Sequence, residues 1–227
     1  MNTFFNLTYP DSEGLMADFN KCFGERERVY CPLTPEHIQL KRLSESLYFE
    51  VKHNRRDELI IWAWGRCAVH EKTLDEFERE GFTGYRVKPA TVRFRDGSIS
   101  TEYHEFIVTG WAGMASSESG IRLVKSCPAC LRKEYSPITN FEKVIDWSQW
   151  TGEDFFVVWP IMQFKLITER VAQWLLTRKV KSFRLEKEFD VLRRDSIISR
   201  QSIPAGRLSN CLPEDLAIKY GRPLGLE

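Results

Sequence analysis

The chain has 227 residues, with 33 Lys and Arg against 32 Asp and Glu, and therefore a formal net charge of +1. That near balance argues against a polybasic nucleic-acid binder and against an acidic tail protein, while 42% hydrophobic residues suffice to bury an ordinary core. The length accommodates one large domain or two small, related ones.

No apolar run approaches the roughly 20 residues of a membrane span. Residues 1–5 lack a basic region followed by an apolar one, so a cytoplasmic protein is the expectation.

In chain order, residues 2–9 predict a short edge strand ended by Pro10, and residues 11–28 read as loop-rich. Thr34-Pro35-Glu36 has the form of a helix start, with Thr34 as N-cap and Pro35 at the first helical position, leading into Ile38, Leu40 and Leu43. Residues 47–51 predict a strand, and residues 59–64 (LIIWAW) a strand buried on both faces. A helix over 71–80 carries Leu74 and Phe77 on one face and stops at Gly81. Tyr85, Val87, Val92 and Phe94 then alternate with polar residues, Asp96-Gly97 signals a hairpin, and residues 102–111 return.

Residues 113–120 (GMASSESG) read as a flexible loop, followed by a strand at 121–124. Residues 155–159 (FFVVW) predict a buried strand closed by Pro160. Thr168 is a suitable N-cap for a helix with Val171, Trp174 and Leu175 on one side, and Phe183 and Leu185 alternate in a closing strand. Residues 202–209 read as loop and 213–220 as one short helix.

Shifting residue numbers by 98 superposes the strand-helix-strand pattern before the hairpin on the one after Asp154. Leu59-Ile60 then opposes Val157-Val158, Glu71-Lys72 opposes Glu169-Arg170, and Tyr85-Arg86-Val87 opposes Phe183-Arg184-Leu185. The expected fold class is α+β: two related strand-helix-strand units with antiparallel hairpins, packed as one body or two subdomains. The corresponding division is 1–112 for the first half, 113–190 for the second with its CxxC, and 191–227 for a tail.

Cys127-Pro128-Ala129-Cys130 has the spacing of half a tetrahedral zinc site, in which a tight turn aims two thiolates at one ion. A closed site needs two further donors from distant sequence, among Cys22, Cys31, Cys67, His37, His53, His70 and His104; the competing reading is a reduced structural turn with no metal required. A thioredoxin-type role needs the first cysteine at a helix N-terminus, whereas residues 131–135 look like the second arm of a hairpin. HExxH, GxSxG, P-loop and GxGxxG patterns are lacking, so nothing commits the chain to an enzyme. His70 reads as a helix cap or a core residue, and Asp57, Asp146 and Asp154 stand near strand ends, where turn formation explains them as well as catalysis does. An enzyme would need groups such as Cys67, Asp154 and a histidine to converge in one pocket.

Of seven tryptophans, Trp62, Trp159 and Trp174 read as core, whereas Trp147 and Trp150 lie in a polar stretch and are the candidates for a binding surface.

The segment Trp150-Thr151-Gly152-Glu153-Asp154-Phe155-Phe156, followed by Leu166-Ile167-Thr168-Glu169-Arg170-Val171 and by Phe183-Arg184-Leu185, resembles the C-terminal signature of the double-CxxCG motif proteins. In that bacterial family a W-x-G-x-D-x-F stretch precedes an I-[ST]-E-R-V helix and a strand. Phe82-Thr83-Gly84-Tyr85-Arg86, Gly110-Trp111 and Cys127-x-x-Cys130 keep the family's order, so the resemblance covers residues 57–188.

It implies an immunity protein: non-catalytic, binding and masking a cognate bacterial toxin. Two departures stand out. Leu131 occupies the place of the glycine after the second CxxC, and the N-terminal CxxCG is missing, leaving only Cys22 and Cys31. The other expectation is a zinc-supported nucleic-acid module centred on Cys127 and Cys130, with Arg178-Lys179, Lys181 and Arg193-Arg194 as cations; nearby acids offset them.

Overall fold

Two amphipathic helices of equal length organise the chain. α1 (Glu71–Arg79) and α2 (Glu169–Thr177) begin 98 positions apart, and each buries one apolar face: Leu74 and Phe77 on α1, Val171, Trp174 and Leu175 on α2. The computed structural model describes residues 3–10, 16–18, 21–22, 26–42, 46–56, 59–63, 65–178, 182–187 and 201–226. Asp57, Lys179, Lys181, Arg193 and Arg194 lie outside them. Among the described residues, no helix is long and apolar enough to cross a membrane.

One sheet surrounds each helix. The first contains β4 (Leu47–Glu50), β5 (Ile60–Ala63), β6 (Arg66–His70), β7 (Tyr85–Arg93) and β8 (Ile99–Val108), in the order β4-β7-β8-β6-β5. The second contains β1 (Phe4–Thr8), β9 (Gly110–Met114), β12 (Phe155–Trp159), β13 (Lys165–Thr168) and β14 (Arg184–Lys187), in the order β14-β1-β13-β12-β9.

Their plan is shared. An antiparallel hairpin (β5–β6 or β12–β13) leads into the helix, and the strand after the helix returns to the same sheet one position removed. A single strand antiparallel to both neighbours fills the gap: β8 in the first sheet and β1 in the second. Mixed sheets with helical crossovers bury strands on both sides, which accounts for the uninterrupted apolar sequence of β5 and β12.

The N-terminal strand is therefore central, not an edge as its position in sequence suggests. Phe4 and Leu7 are buried between β13 and β14, and a period-2 pattern cannot reveal whether one or two neighbours flank it. The boundary placed at 112 falls inside β9, which pairs in parallel with β12.

A second difference concerns register. Ile60 pairs with Val69 and Phe155 with Ile167, so Ile60 corresponds to Phe155 and not to Val158. The β12–β13 connection is longer and contains the cis Trp159–Pro160 peptide. From β6 and β13 onward the 98-residue shift holds.

Smaller elements complete the structure. The helix expected from Thr34 is instead strand β3 (Ile38–Arg42), paired with β2 (Arg26–Tyr30) so that Tyr30 faces Ile38. The order Ile38-Gln39-Leu40-Lys41 alternates with a period of two, and a partner strand in register outweighs the capping signal of Thr34-Pro35.

The stretch read as loop at 202–209 contributes β15 (Ile203–Ala205) to a sheet of order β10-β11-β15, with β10 (Leu123–Ser126) and β11 (Lys133–Tyr135). The expected flexible loop at 113–120 is tied down. A one-turn 3-10 helix at Ser117–Ser119 buries Ser119, whose carbonyl accepts from the amides of Thr139 and Asn140. Helix α3 (Glu214–Gly221) packs the C-terminal segment on the body through a Trp111–Tyr220 stack at 5.2 Å and the buried Leu226.

The two units meet in an aromatic core. The Phe77 ring lies 5.2 Å from Trp174 and 5.4 Å from Phe155, with Phe82, Tyr85 and Phe106 around it. Each such pair adds about 0.5–1.5 kcal/mol beyond area burial.

At its rim, Asp154 receives the Thr83 amide (3.0 Å), the Thr168 hydroxyl (2.9 Å) and both Nε (3.2 Å) and Nη2 (2.6 Å) of Arg170. Arg170 also donates to the carbonyls of Glu80 and Gly81, capping the end of α1, and its guanidinium lies 4.7 Å over the Phe82 ring. Gly84 is required beside this clamp: its φ is +88°, and an added Cβ would stand 2.1 Å from the Phe155 carbonyl oxygen.

Burial alone would raise the Asp154 carboxyl, but the Arg170 guanidinium, the Thr83 amide and the Thr168 hydroxyl overcome it and hold it below the usual carboxylate range. Its stabilisation is thus complete above the unfolded pKa of about 3.9 and is lost as pH falls through the lower folded value. Asp154→Asn should cost about 2 kcal/mol in urea unfolding at pH 7, with a smaller difference from wild type at pH 3. Equal differences at both pH values would show that the carboxylate charge is not what holds the clamp.

Candidate metal centre

A cluster of thiols forms where the β2–β3 ribbon meets the β10–β11 hairpin. Cys31 follows β2, His37 precedes β3, and Cys127 and Cys130 occupy the turn between β10 and β11. Their donor atoms all lie within 4.8 Å of one another, and the three cysteines are buried. The Cys31 and Cys127 Sγ atoms are 3.6 Å apart, and Cys130 Sγ is 3.5 Å from His37 Nδ1. All of these cysteines are free thiols.

These spacings can be tested against a tetrahedral ion. Thiolates at about 2.3 Å and an imidazole at about 2.0 Å from one centre lie about 3.8 Å apart for S···S and about 3.5 Å for S···N. The Cys31–Cys127 and Cys130–His37 separations match these values. The donor set, three thiols and one imidazole, is that of a closed structural site, and the residues present fit a bound metal ion.

Local backbone chemistry builds the turn. The Cys127 amide donates to the Arg132 carbonyl (2.8 Å) and the Leu131 amide to the Cys127 carbonyl (2.9 Å). This folds the chain so that the amides of Cys130 and Ala129 point at the Cys127 sulfur and, with His37, pull its pKa down to about 6. Burial pushes the Cys130 thiol up.

On the ribbon side, the turn after β2 is held by His37 N to Thr34 O (2.8 Å) and Cys31 N to His37 O (3.2 Å). Gln39 reaches across to the Cys130 carbonyl (3.2 Å).

Leu131 takes φ +59°, a left-handed conformation unusual for a branched side chain. Glycine, which the resemblance led us to expect at this place, would adopt the conformation freely. The turn's geometry survives here without glycine, at a conformational cost.

Cys127 and Cys130, singled out by their spacing, thus meet Cys31 and His37. Sequence reasoning placed both among seven distant candidates without selecting them. The signal that selects them is the ribbon pairing, because Tyr30 facing Ile38 brings residues 31 and 37 to the two ends of one turn.

The other candidates lie elsewhere. Cys22 is buried in the cluster with Leu47 and Phe49, and Cys67 sits in the main core, where burial pushes its thiol up to about 11. His70 caps α1 by accepting from the Lys72 amide (3.2 Å), and His53 accepts from the Arg55 amide. His104 lies within β8, opposite Val69 and Pro89.

Asp146 shapes its own turn through Ser148 and Gln149, and Asp154 belongs to the clamp. Trp147 and Trp150, the surface candidates, are half-buried. Their rings meet edge-on at 5.4 Å, lean on Phe4 and Phe156, and the Trp150 indole N–H donates to the Glu153 carbonyl. In comparisons with known proteins, no family model and no curated protein matches the chain.

Leu131→Gly should stabilise the protein by about 1 kcal/mol in chemical denaturation, because glycine adopts the left-handed turn without the Cβ penalty. A loss of stability would mean that Leu131 contributes more through packing than its backbone costs.

Proposed function

We propose that the chain is a non-catalytic binding protein, an immunity factor that masks a cognate bacterial toxin, and that zinc held by Cys31, His37, Cys127 and Cys130 builds its docking face. One observation carries this reading: exposed apolar side chains concentrate on the two elements that the cluster joins. Of eleven large hydrophobic residues described as exposed, Val29, Tyr30, Leu33 and Ile38 belong to the ribbon, and Leu123 and Val124 to β10. Leu33 is 65% exposed and Tyr30 56%, apolar area that a partner surface would bury.

The metal supports this face. Among the described residues β2 pairs only with β3, and Cys31, His37 and Gln39 tie this ribbon to the turn between β10 and β11. Bound zinc would supply a rigid four-ligand cross-link there and no reaction step. Three thiolates favour zinc over hard, oxygen-seeking cations.

The motif residues that suggest the immunity family, including Asp154, Thr168 and Arg170, are engaged in joining the two units. They support a shared scaffold and leave partner recognition to another surface. The ribbon and β10 offer that surface, with more free area than the half-buried Trp147 and Trp150.

Purified chain should contain one zinc ion, and Cys31→Ser or Cys130→Ser should lower zinc affinity on the order of a hundredfold in a chelator competition. Wild-type affinity in either variant would remove those ligands from the site.

For the partner, a toxin encoded beside this chain should co-purify with it and lose its toxicity on co-expression. Tyr30→Asp with Leu123→Asp should weaken the complex by roughly thirtyfold or more while zinc content stays at one per chain. Absence of both complex and protection with every neighbouring toxin would overturn the immunity reading.

A further inference from the structure

We infer that a basic groove at the end of the first sheet, which shares no residue with the thiol cluster, binds a small ligand carrying two or more linked phosphates. The groove has a volume of about 620 Å³, within the range of small-molecule sites, and its charged lining consists of Lys21, Lys52, Arg93 and Arg95 against a single carboxylate, Glu50.

Strand geometry places these cations together. β4 and β7 run parallel with Glu50 beside Arg93, and the chains stay hydrogen-bonded past the ladder through Val51 N to Arg93 O (2.9 Å) and Arg95 N to His53 O (3.2 Å). Arg93 closes β7, buried Phe94 follows it, and Arg95 opens the hairpin turn, so two exposed arginines flank one buried ring at this end of the sheet.

Among the described residues, charge within the groove is only partly compensated. Lys21 pairs with Glu50 (2.6 Å), and Lys52, itself largely in solvent, stands 3.7 Å from Asp18. Among the described residues no acid lies within ion-pair distance of Arg93 or Arg95.

Like charges gathered on neighbouring strands cost stability. The cost is notable in a chain whose net charge is only +1. An anion bound between them offsets it, and a concave wall focuses the field.

The chemistry selects the anion. Arginine forks bind phosphate oxygens in pairs, and two of them in one groove, with lysines beside them, can each engage a different phosphate group. A single orthophosphate satisfies only part of that set.

The experiment is calorimetric titration of inorganic tripolyphosphate into the full chain at low salt. One ligand should bind per chain, roughly tenfold more tightly than orthophosphate. Arg93→Ala with Arg95→Ala should weaken binding by roughly tenfold or more with an unchanged circular dichroism spectrum. Lys52→Glu, a solvent-exposed change, should weaken it as well.

Three outcomes would overturn the inference: no binding of tripolyphosphate, equal affinity in these variants, or no preference over orthophosphate. Tighter binding of a single-stranded oligonucleotide than of tripolyphosphate would replace the small ligand with nucleic acid. Retention of tripolyphosphate binding by Cys130→Ser would show that the groove acts independently of the thiol cluster, whereas loss of binding in that variant alone would tie it to the cluster and overturn the separate site.

Discussion

The Asp154–Arg170 pair is the constraint on which the arrangement of the two halves depends. One carboxylate accepts from a loop of the first unit and from the helix and strand of the second, and the arginine carries the connection on to the end of α1. A buried acid of this kind is tolerable only with its acceptor capacity filled, so each donor must be delivered to its place. Thr83 is delivered by the turn after α1, Thr168 by the last position of β13, and Arg170 by the first turn of α2. The same demand explains the glycine at 84, where backbone meets backbone.

Around that clamp, the duplicated plan solves a packing problem. Each unit has a hairpin, a crossover helix and a returning strand, and each leaves a gap in its sheet one strand wide. The first unit fills it with β8, the next strand in sequence, whereas the second draws β1 from the N-terminus. Residues from the start of the chain are thereby buried among those of the second unit, and the two helices face each other through Phe77 and Trp174.

The thiol cluster works by a different logic. Residues 27–30 of β2 are all exposed, on both faces of that strand, and offer little burial of their own. Hydrophobic burial therefore contributes little to its placement. A metal ion held by Cys31, His37, Cys127 and Cys130 would replace it with strong, directional bonds. Metal and docking face are two parts of one device in this reading.

Much of this was legible in the amino-acid sequence. Helices α1 and α2, the buried strands β5 and β12, the Asp96-Gly97 hairpin and the α+β class follow from periodicity and turn chemistry, which act between residues close in sequence. Cys127 and Cys130 were legible for the same reason, because a tight turn joins them.

What spacing could not choose was the other half of the candidate metal site. Cys31 and His37 lie more than ninety positions away, and a misleading cap at Thr34-Pro35 hid the strand that presents them. The central place of β1, the true register of the β12–β13 hairpin and the partners of Asp154 were likewise decided only by tertiary structure. Each depends on which strand lies beside which, a matter of long-range pairing in which hydrogen bonds and burial outweigh local preference.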